Sequence, residues 1–142
     1  MADGAIHLTI VTPDRALVDE VVDELQIPGS EGYLGVLPGH APLFTDLKVG
    51  EFGYRQGSRW MWLSMAWGFA EVLPDQVRVL AETAERAHEI DLDRAVRAKE
   101  RAEQRLSRIG EDIDFNRAAL ALERSLIRIQ VSRKSQGQPA AH

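Results

Sequence analysis

Two rows of arginine near the C-terminus are the side chains best suited to chemistry in this chain. A guanidinium presents a rigid fork of donors that matches a phosphate group, and residues three or four apart share one face of a helix. The rows are Arg94, Arg97, Arg101, Arg105 and Arg108, and then Arg117, Arg124 and Arg128. Two helices folded together would bring both rows to one polyphosphate. The alternative is two solvated faces balanced by nearby carboxylates.

His40 lies in a stretch crowded with glycine and proline, GSEGYLGVLPGHAPLFTDLKVG at residues 29–50. A catalytic histidine needs a nucleophile or a carboxylate within hydrogen-bond reach, and nothing in the sequence ties one to His40. Pro38 and Pro42 instead predict a rigid loop between two strands. We interpret His40 as a structural or docking residue, with a catalytic role as the alternative.

The usual signatures of catalysis and metal binding are missing from the sequence. It has no phosphate-binding loop, no dinucleotide-binding glycine motif, no H-E-x-x-H and no nucleophile elbow. Its four histidines lack metal-ligand spacing, and it has no cysteine. We therefore predict a protein that is not an enzyme by itself, with no catalytic residue, no metal site and no required cofactor.

Composition and net charge limit the kinds of partner that this chain can bind. Of the 142 residues, 44% are hydrophobic and 27% are charged, as in an ordinary globular domain. The net charge of −5 argues against nucleic-acid binding, which needs a basic surface. The N-terminus lacks a signal-peptide pattern, and no run approaches the roughly 20 apolar residues of a membrane span. We expect a soluble chain that meets a membrane only through a partner.

Charge and composition both change near residue 84. Residues 1–84 carry 5 basic and 12 acidic side chains, a net charge of −7, whereas residues 85–142 carry 12 basic and 10 acidic ones, a net charge of +2. All but one of the prolines lie in the first part. This asymmetry predicts two parts with different roles.

The first part is predicted to form strands. Apolar residues alternate with period two at residues 6–10 and 77–81, which is typical of a strand with one buried face. Further strands are predicted at residues 21–27, 33–37, 60–65 and 69–73. Many short strands divided by turn signals favour an antiparallel sandwich or barrel.

The second part is predicted to form two helices joined by a short turn. Asp91 is a suitable N-cap for the first helix, Gly110 a suitable C-cap, and Asp112 or Asp114 can begin the second helix. The predicted seam residues of the second helix are Phe115, Ala119, Leu122, Leu126 and Ile129. Its alanines make the seam thin, so the hairpin should be only marginally stable alone. Four apolar residues beside the seam could pack on the β part or on another protein: Ile113, Leu120, Ile127 and Val131.

These observations predict an α+β fold with three regions. Residues 1–86 form an N-terminal antiparallel β-sandwich, residues 87–134 form a C-terminal antiparallel two-helix hairpin, and residues 135–142 form a disordered tail.

Residues 29–50, followed by FAEVLPDQVRVLAETAERA at residues 69–87 and the helical hairpin, strongly resemble the epsilon subunits of bacterial F-type ATP synthases. The resemblance covers about residues 5–134 and includes the motif G-x-L-G-x-x-P-G-H-x-P, here Gly32 to Pro42. The resemblance implies a β-sandwich followed by two helices, in agreement with the fold predicted above from the residues.

The resemblance also implies a function. Such a subunit belongs to the central stalk, binds the gamma subunit, sits on the membrane-embedded c-ring and helps couple proton-driven rotation to ATP synthesis. Its C-terminal helices can extend into the alpha/beta catalytic head and inhibit ATP hydrolysis. The chain would then lie peripherally at the cytoplasmic face of the bacterial inner membrane. A stand-alone ATP-binding sensor is the alternative function, and an enzyme using His40 is a third.

Some members of this family bind ATP in the folded hairpin through the motif I/L-D-x-x-R-A, which Ile90 to Ala95 match in full. The residues that the resemblance assigns to ATP are Glu85, Ile90, Asp91, Arg94, Ala95, Arg101, Arg124 and Arg128. ATP is therefore expected as a regulatory ligand that stabilises the folded hairpin by mass action. The motif alone is a weak signal, because Asp91 also fits a helix N-cap.

The same resemblance implies an interface at one edge of the sandwich. Glu31, Gly32 and His40 are expected to meet the c-ring. The chain departs from the family at Ala66-Trp67-Gly68, where the family commonly has S-G-G. Trp67 is expected either to anchor an interface with the gamma subunit or to pack on its own domain.

Overall fold

A computed structural model of the chain describes residues 4–108 and 114–135. Eight strands are followed by a single turn of 3₁₀ helix and two α-helices. The elements are β1 (Ile6–Val11), β2 (Ala16–Val22), β3 (Glu24–Gly29), β4 (Gly32–Val36), β5 (Leu43–Leu47), β6 (Gly50–Gln56), β7 (Arg59–Val72), β8 (Gln76–Arg86), the 3₁₀ turn (Ala87–Glu89), α1 (Leu92–Leu106) and α2 (Phe115–Ser135).

The long strand β7 is shared by the two layers of the β-sandwich. Its first half pairs with β6 and its second half with β5, while β8 runs along its other side. Beyond β8 lie β1 and then β2, and beyond β6 lie β3 and then β4. All pairs in the described strands are antiparallel except β1 with β8, which is parallel. The predicted sandwich is thus confirmed, with one parallel pair that local patterns did not indicate.

The sandwich core consists of the inward residues of the alternating strands. Ile6, Leu8 and Ile10 of β1 are fully buried, as are Phe52 and Tyr54 of β6. Burying a side chain of this size stabilises the fold by roughly 1.5–3 kcal/mol.

The strand predictions were wrong in three places. The segment at residues 21–27 is two strands, because the chain breaks at Asp23 between β2 and β3. The segments at residues 60–65 and 69–73 are one strand, β7. Strands β5 and β6 were not predicted, since glycines weaken the pattern of β6. Gly53 is needed there, because a Cβ atom would lie 2.5 Å from the Trp62 ring.

Both helices begin at aspartate caps. The Asp91 carboxylate accepts a hydrogen bond from the Arg94 N–H at 3.1 Å, and the Asp114 carboxylate accepts one from the Arg117 N–H at 3.0 Å. Asp114, one of the two predicted starting residues, therefore caps α2. The predictions that involve Gly110, Asp112, Ile113 and the tail after Ser135 fall outside the described residues.

The seam between the helices differs from the predicted one by about one position. The buried residues of α2 with heptad-like spacing are Ala118, Ser125, Ile129 and Ser132, and those of α1 are Ala95 and Ala102. Phe115 and Leu126, which were predicted in the seam, are exposed. This shift corresponds to a rotation of α2 about its axis. The helix is rotated because it must also bury Ile127 and Val131 against the sandwich.

Candidate functional site

One face of α2 docks on the sandwich, and we call its residues the docking face. It consists of Arg124, Ile127, Arg128, Val131 and Lys134. Spacings of three, four and seven residues place these side chains on one side of the helix. Val131 is fully buried in a small apolar cluster with Ala87 and Ile90, and Trp62 and Ile127 pack against that cluster.

The middle of the docking face lines a shallow cleft that contains two of the predicted arginines. Its walls are Val49, Ser64, Met65, Ala66, Thr83, Glu85, Arg124, Ile127 and Arg128. The Arg128 Nε and Nη2 atoms donate to the two Glu85 carboxylate oxygens at 2.7 and 3.2 Å. The cleft has a cavity volume of about 30 Å³, far below the roughly 300–1,000 Å³ of pockets that enclose a small-molecule ligand. A nucleotide there would lie partly outside the cleft.

Three residues of the I-D-x-x-R-A motif have structural roles. Ile90 is buried in the apolar cluster, Asp91 caps α1, and Ala95 is fully buried in the seam. Arg94, like Arg101, is exposed on α1, and neither lines the cleft. Of the eight residues predicted to bind ATP, the cleft therefore gathers Glu85, Arg124 and Arg128.

The linker between sandwich and hairpin is tied down by charge. The Arg15 guanidinium donates two hydrogen bonds to the Glu89 carboxylate at 2.9 and 3.0 Å. The Arg86 N–H donates to the same carboxylate at 3.0 Å, and the Arg86 guanidinium donates to the Leu17 carbonyl. The hydrogen bonds from Arg15 hold the pKa of Glu89 below its ordinary value of 4.5, although burial opposes this. The 3₁₀ turn thus stays with the sandwich.

The last turn of α2 makes a second charged contact with the sandwich. The Lys134 Nζ atom lies 2.7 Å from a Glu51 carboxylate oxygen on β6 and 3.6 Å from the centroid of the Trp62 ring on β7. Trp62 in turn stacks on Trp60, with ring centroids 5.3 Å apart.

The outer face of the sandwich carries exposed apolar side chains, Phe44, Phe69 and Leu80, which we call the apolar stripe. Phe44 and Phe69 stack with centroids 5.5 Å apart, and Phe69 lies directly opposite Leu80 in the strand register. The exposed fractions are 66% for Phe44, 48% for Phe69 and 58% for Leu80. Clustered exposure of large apolar side chains is typical of a protein interface.

The predicted interface residues do not form one group. Glu31 and Gly32 lie at the β3–β4 turn, near the bend of β7 that contains Trp67, because Gly29 pairs with Leu47 and Leu47 with Gly68. His40 lies at the opposite end of β4, where its N–H donates to the Leu37 carbonyl. Glu31 and Gly32 thus lie at one end of the edge strand β4 and His40 lies beyond its other end, and their expected place in an interface stays a prediction.

The His40 side chain has a local partner. Its Nδ1 atom lies 2.7 Å from the Ala41 carbonyl oxygen, and the neighbouring Gly39 N–H donates to the Pro74 carbonyl at 2.8 Å. These contacts shape the loop against the β7–β8 turn.

Sequence reasoning missed the charged residues that join the two parts. Arg15 and Glu89 are 74 residues apart, and Glu51 and Lys134 are farther still. The only local signal was the pair of tryptophans at 60 and 62, which share a face of a strand. Within residues 4–108 and 114–135, no cluster of histidine and carboxylate side chains could hold a metal ion. No helix in these ranges is long and apolar enough to cross a membrane.

Two family models together match residues 5–133. The β-sandwich domain of the ATP synthase delta/epsilon chain matches residues 5–87, and the long alpha-helix domain of that chain matches residues 88–133. The ATP synthase epsilon chain of Koribacter versatilis is 55% identical over 112 residues, which cover 79% of this chain and 78% of that one. The epsilon chain of Nitratidesulfovibrio vulgaris is 48% identical over 129 residues, which cover 91% and 96%.

Solved structures agree with these matches. A chain in the cryo-EM structure of the Euglena gracilis mitochondrial ATP synthase, OSCP/F1/c-ring, superposes with a TM-score of 0.76 at 27% identity over 87% of this chain and 78% of that one. A chain of the Tetrahymena thermophila mitochondrial ATP synthase, at 14% identity and a TM-score of 0.53, shows likeness of fold alone. Because both family models and the epsilon chains span most of its length, this chain belongs to the delta/epsilon family of ATP synthase chains, as a non-catalytic epsilon-type subunit of the central stalk.

Proposed function

We propose that this subunit couples rotation to ATP synthesis through its sandwich and restrains ATP hydrolysis through its hairpin, with ATP as a regulatory ligand. The sandwich binds the gamma subunit and the c-ring at the cytoplasmic face of the bacterial inner membrane, and the undocked helices reach the alpha/beta catalytic head. The observation that carries the proposal is a hairpin docked on the sandwich around a cationic cleft.

The weak attachment of the hairpin supports a switch. The apolar cluster that joins α2 to the sandwich contains few residues, namely Ala87, Ile90 and Val131 with Trp62 and Ile127 packed against them. Undocking of the hairpin therefore exposes little buried apolar area to water, so a ligand can shift the equilibrium between the docked and undocked states.

The cleft supports a polyphosphate ligand because it contains more positively than negatively charged side chains. Arg124 and Arg128 contribute two positive charges, and Glu85 contributes one negative charge. Glu85 holds Arg128 in place, and Arg124 is exposed at the rim. A ligand that bridges α2 and β8 binds only the docked state, and at 100 times its Kd it stabilises that state by about 2.7 kcal/mol.

Two surfaces support docking of the sandwich in the rotor. The Euglena and Tetrahymena structures that the chain resembles contain an F1/c-ring and a central stalk with c-ring, respectively. We assign the apolar stripe to the gamma subunit, because a cluster of exposed large apolar side chains is typical of a protein–protein interface. We assign the β3–β4 turn with Glu31 to polar loops of the c-ring, with Trp67 beside it as an anchor.

Calorimetric titration with ATP tests the ligand. We expect heat of binding in the wild type and a Kd at least roughly tenfold weaker in Arg124→Gln, because one phosphate donor is lost. Arg117→Gln is the matched control, since Arg117 is an exposed arginine of α2 that does not line the cleft. Absence of heat at millimolar ATP, or equal weakening in both variants, would contradict the ATP site.

Hydrolysis by a synthase depleted of its own epsilon chain and reconstituted with this one tests the regulation. The wild type should lower the hydrolysis rate, and Arg124→Gln should lower it further at the same ATP concentration, because ATP no longer favours the docked hairpin. Equal inhibition by the two proteins would leave the stalk role intact and overturn ATP sensing.

A further inference from the structure

We propose that Lys134, Glu51 and Trp62 form a latch that holds the C-terminal end of α2 on the sandwich and sets how often the hairpin undocks. The latch acts on the docking equilibrium of the chain alone. It stands whether or not ATP binds the cleft and whether or not the undocked helices inhibit hydrolysis.

The latch is a charge pair closed over an aromatic face. Glu51 is largely buried, with 16% of its side chain exposed, and its Oε1 atom receives no hydrogen bond of ordinary geometry. The Lys134 ammonium, 2.7 Å away, is the cation that neutralises it. The same ammonium lies 3.6 Å from the Trp62 ring centroid, well within the range of a cation–π contact.

The sandwich half of the latch is held in place by other residues. Trp62 stacks on Trp60 and lies flat on Gly53. The Glu51 N–H donates to the Tyr33 hydroxyl at 3.1 Å, which ties β6 to β4 at this point. Lys134 therefore meets a receptor whose Trp62 ring and Glu51 backbone are already held in place, which lowers the entropy cost of docking there.

The position of the latch gives it control over the hairpin. Lys134 lies in the last turn of α2, one turn beyond Val131 and the apolar cluster. A cation there also interacts favourably with the helix C-terminus. Undocking of α2 must separate Lys134 from Glu51, so the strength of this pair enters the opening equilibrium directly.

If the latch exists, a substitution in one element should change the stability of another element. Substitution of Glu51 on β6 should lower the hydrogen-exchange protection of the amides at residues 127–131 of α2. We expect Lys134→Met and Glu51→Gln each to lower that protection roughly tenfold in the full chain, while β1 keeps its protection. Lys134→Arg should retain most of it, since arginine keeps the charge and stacks on tryptophan.

Two matched controls separate a latch from general loss of charge. Lys99→Met removes a lysine of α1 that pairs with Glu103 on the same helix, and Glu71→Gln removes a carboxylate that pairs with Arg78 on the sandwich surface. Both should leave α2 protection within about twofold.

A double-mutant cycle completes the test. If the two groups act as one pair, Lys134→Met with Glu51→Gln should be no worse than the more severe single variant. Unchanged protection in the single variants, or additive losses in the double variant, would overturn the latch.

Discussion

At the scale of single residues, the bend in β7 is a point where the backbone limits the choice of side chain. Trp67 has a φ of +59° and Gly68 a φ of +127°. Residues with a Cβ atom rarely adopt a positive φ. A Cβ on Gly68 would lie 1.9 Å from the Leu80 carbonyl oxygen of β8, so the strand pair itself excludes any other residue.

Gly68→Ala should therefore destabilise the protein by at least about 3 kcal/mol, because backbone atoms must move. Gly35→Ala is the control, since a Cβ atom there meets open space and its φ is ordinary. It should change the free energy of unfolding by less than about 1 kcal/mol. Urea denaturation followed by circular dichroism measures both, and equal effects would show that the bend tolerates a side chain.

Trp67 is the described non-glycine residue with a positive φ, and this conformation costs an L-residue about 1–2 kcal/mol. We expect Trp67→Gly to be more stable than Trp67→Ala by about 1 kcal/mol. Position 69 of the same strand has an ordinary φ, so Phe69→Gly should be the less stable of its pair with Phe69→Ala. Thermal unfolding of the four variants tests whether glycine is the more stable choice at position 67 and alanine at position 69. A more stable alanine variant at both positions would contradict this expectation.

At the scale of elements, the linker from β8 to α1 is fixed to β2 by the Arg15–Glu89 pair. Glu89 has a pKa below 4.5 in the folded chain because it accepts hydrogen bonds from Arg15 and from the Arg86 N–H. A lowered carboxyl pKa means that its stabilisation is fully present above pH 4.5 and is lost as the pH falls through the folded-state value. The hairpin is therefore anchored at its base under neutral conditions.

Stability as a function of pH should reveal this anchor. We expect wild type to be more stable than Glu89→Gln at pH 7, with the difference shrinking as the pH falls below about 4.5. Glu82→Gln, which changes an exposed carboxylate of β8, should follow the wild-type profile closely. Urea midpoints measured across this pH range decide the matter, and a difference that persists at low pH would assign another role to Glu89.

At the scale of the whole molecule, the two parts present different surfaces. The sandwich offers the apolar stripe, and the exposed parts of α1 and α2 carry arginines. This division agrees with the charge difference between the two parts of the sequence, −7 against +2. A stalk subunit can then dock through one part while the other remains free to move.

Phe69→Gln combined with Leu80→Gln should weaken binding of the chain to an epsilon-depleted ATP synthase at least roughly tenfold, because apolar anchors at the centre of an interface dominate its affinity. Stability should change by less than about 1 kcal/mol, since both side chains are exposed. Phe115→Gln on the hairpin is the matched control for loss of an exposed aromatic group. Equal weakening by Phe115→Gln would argue that the stripe is not the docking surface.

Local patterns in the sequence were sufficient for several features of this protein. Period-two alternation identified β1 and β8, and aspartate chemistry identified the cap at Asp91. The resemblance of residues 5–134 to epsilon subunits identified the family. These features depend on neighbours in the chain or on motifs of a few residues, so the sequence alone determines them.

Other features depended on contacts between residues that are distant in sequence. The rotation of α2 was decided by the need to bury Ile127 and Val131 on the sandwich while Ala118, Ser125 and Ile129 are buried at the same time. The grouping of Glu85 with Arg124 and Arg128, and of Glu51 with Lys134, required the hairpin to fold back onto β6–β8. The separation of Glu31 from His40 required the path of β4. Only the tertiary structure decides such pairings, because long-range packing, and no local preference, selects which face of each element meets the next.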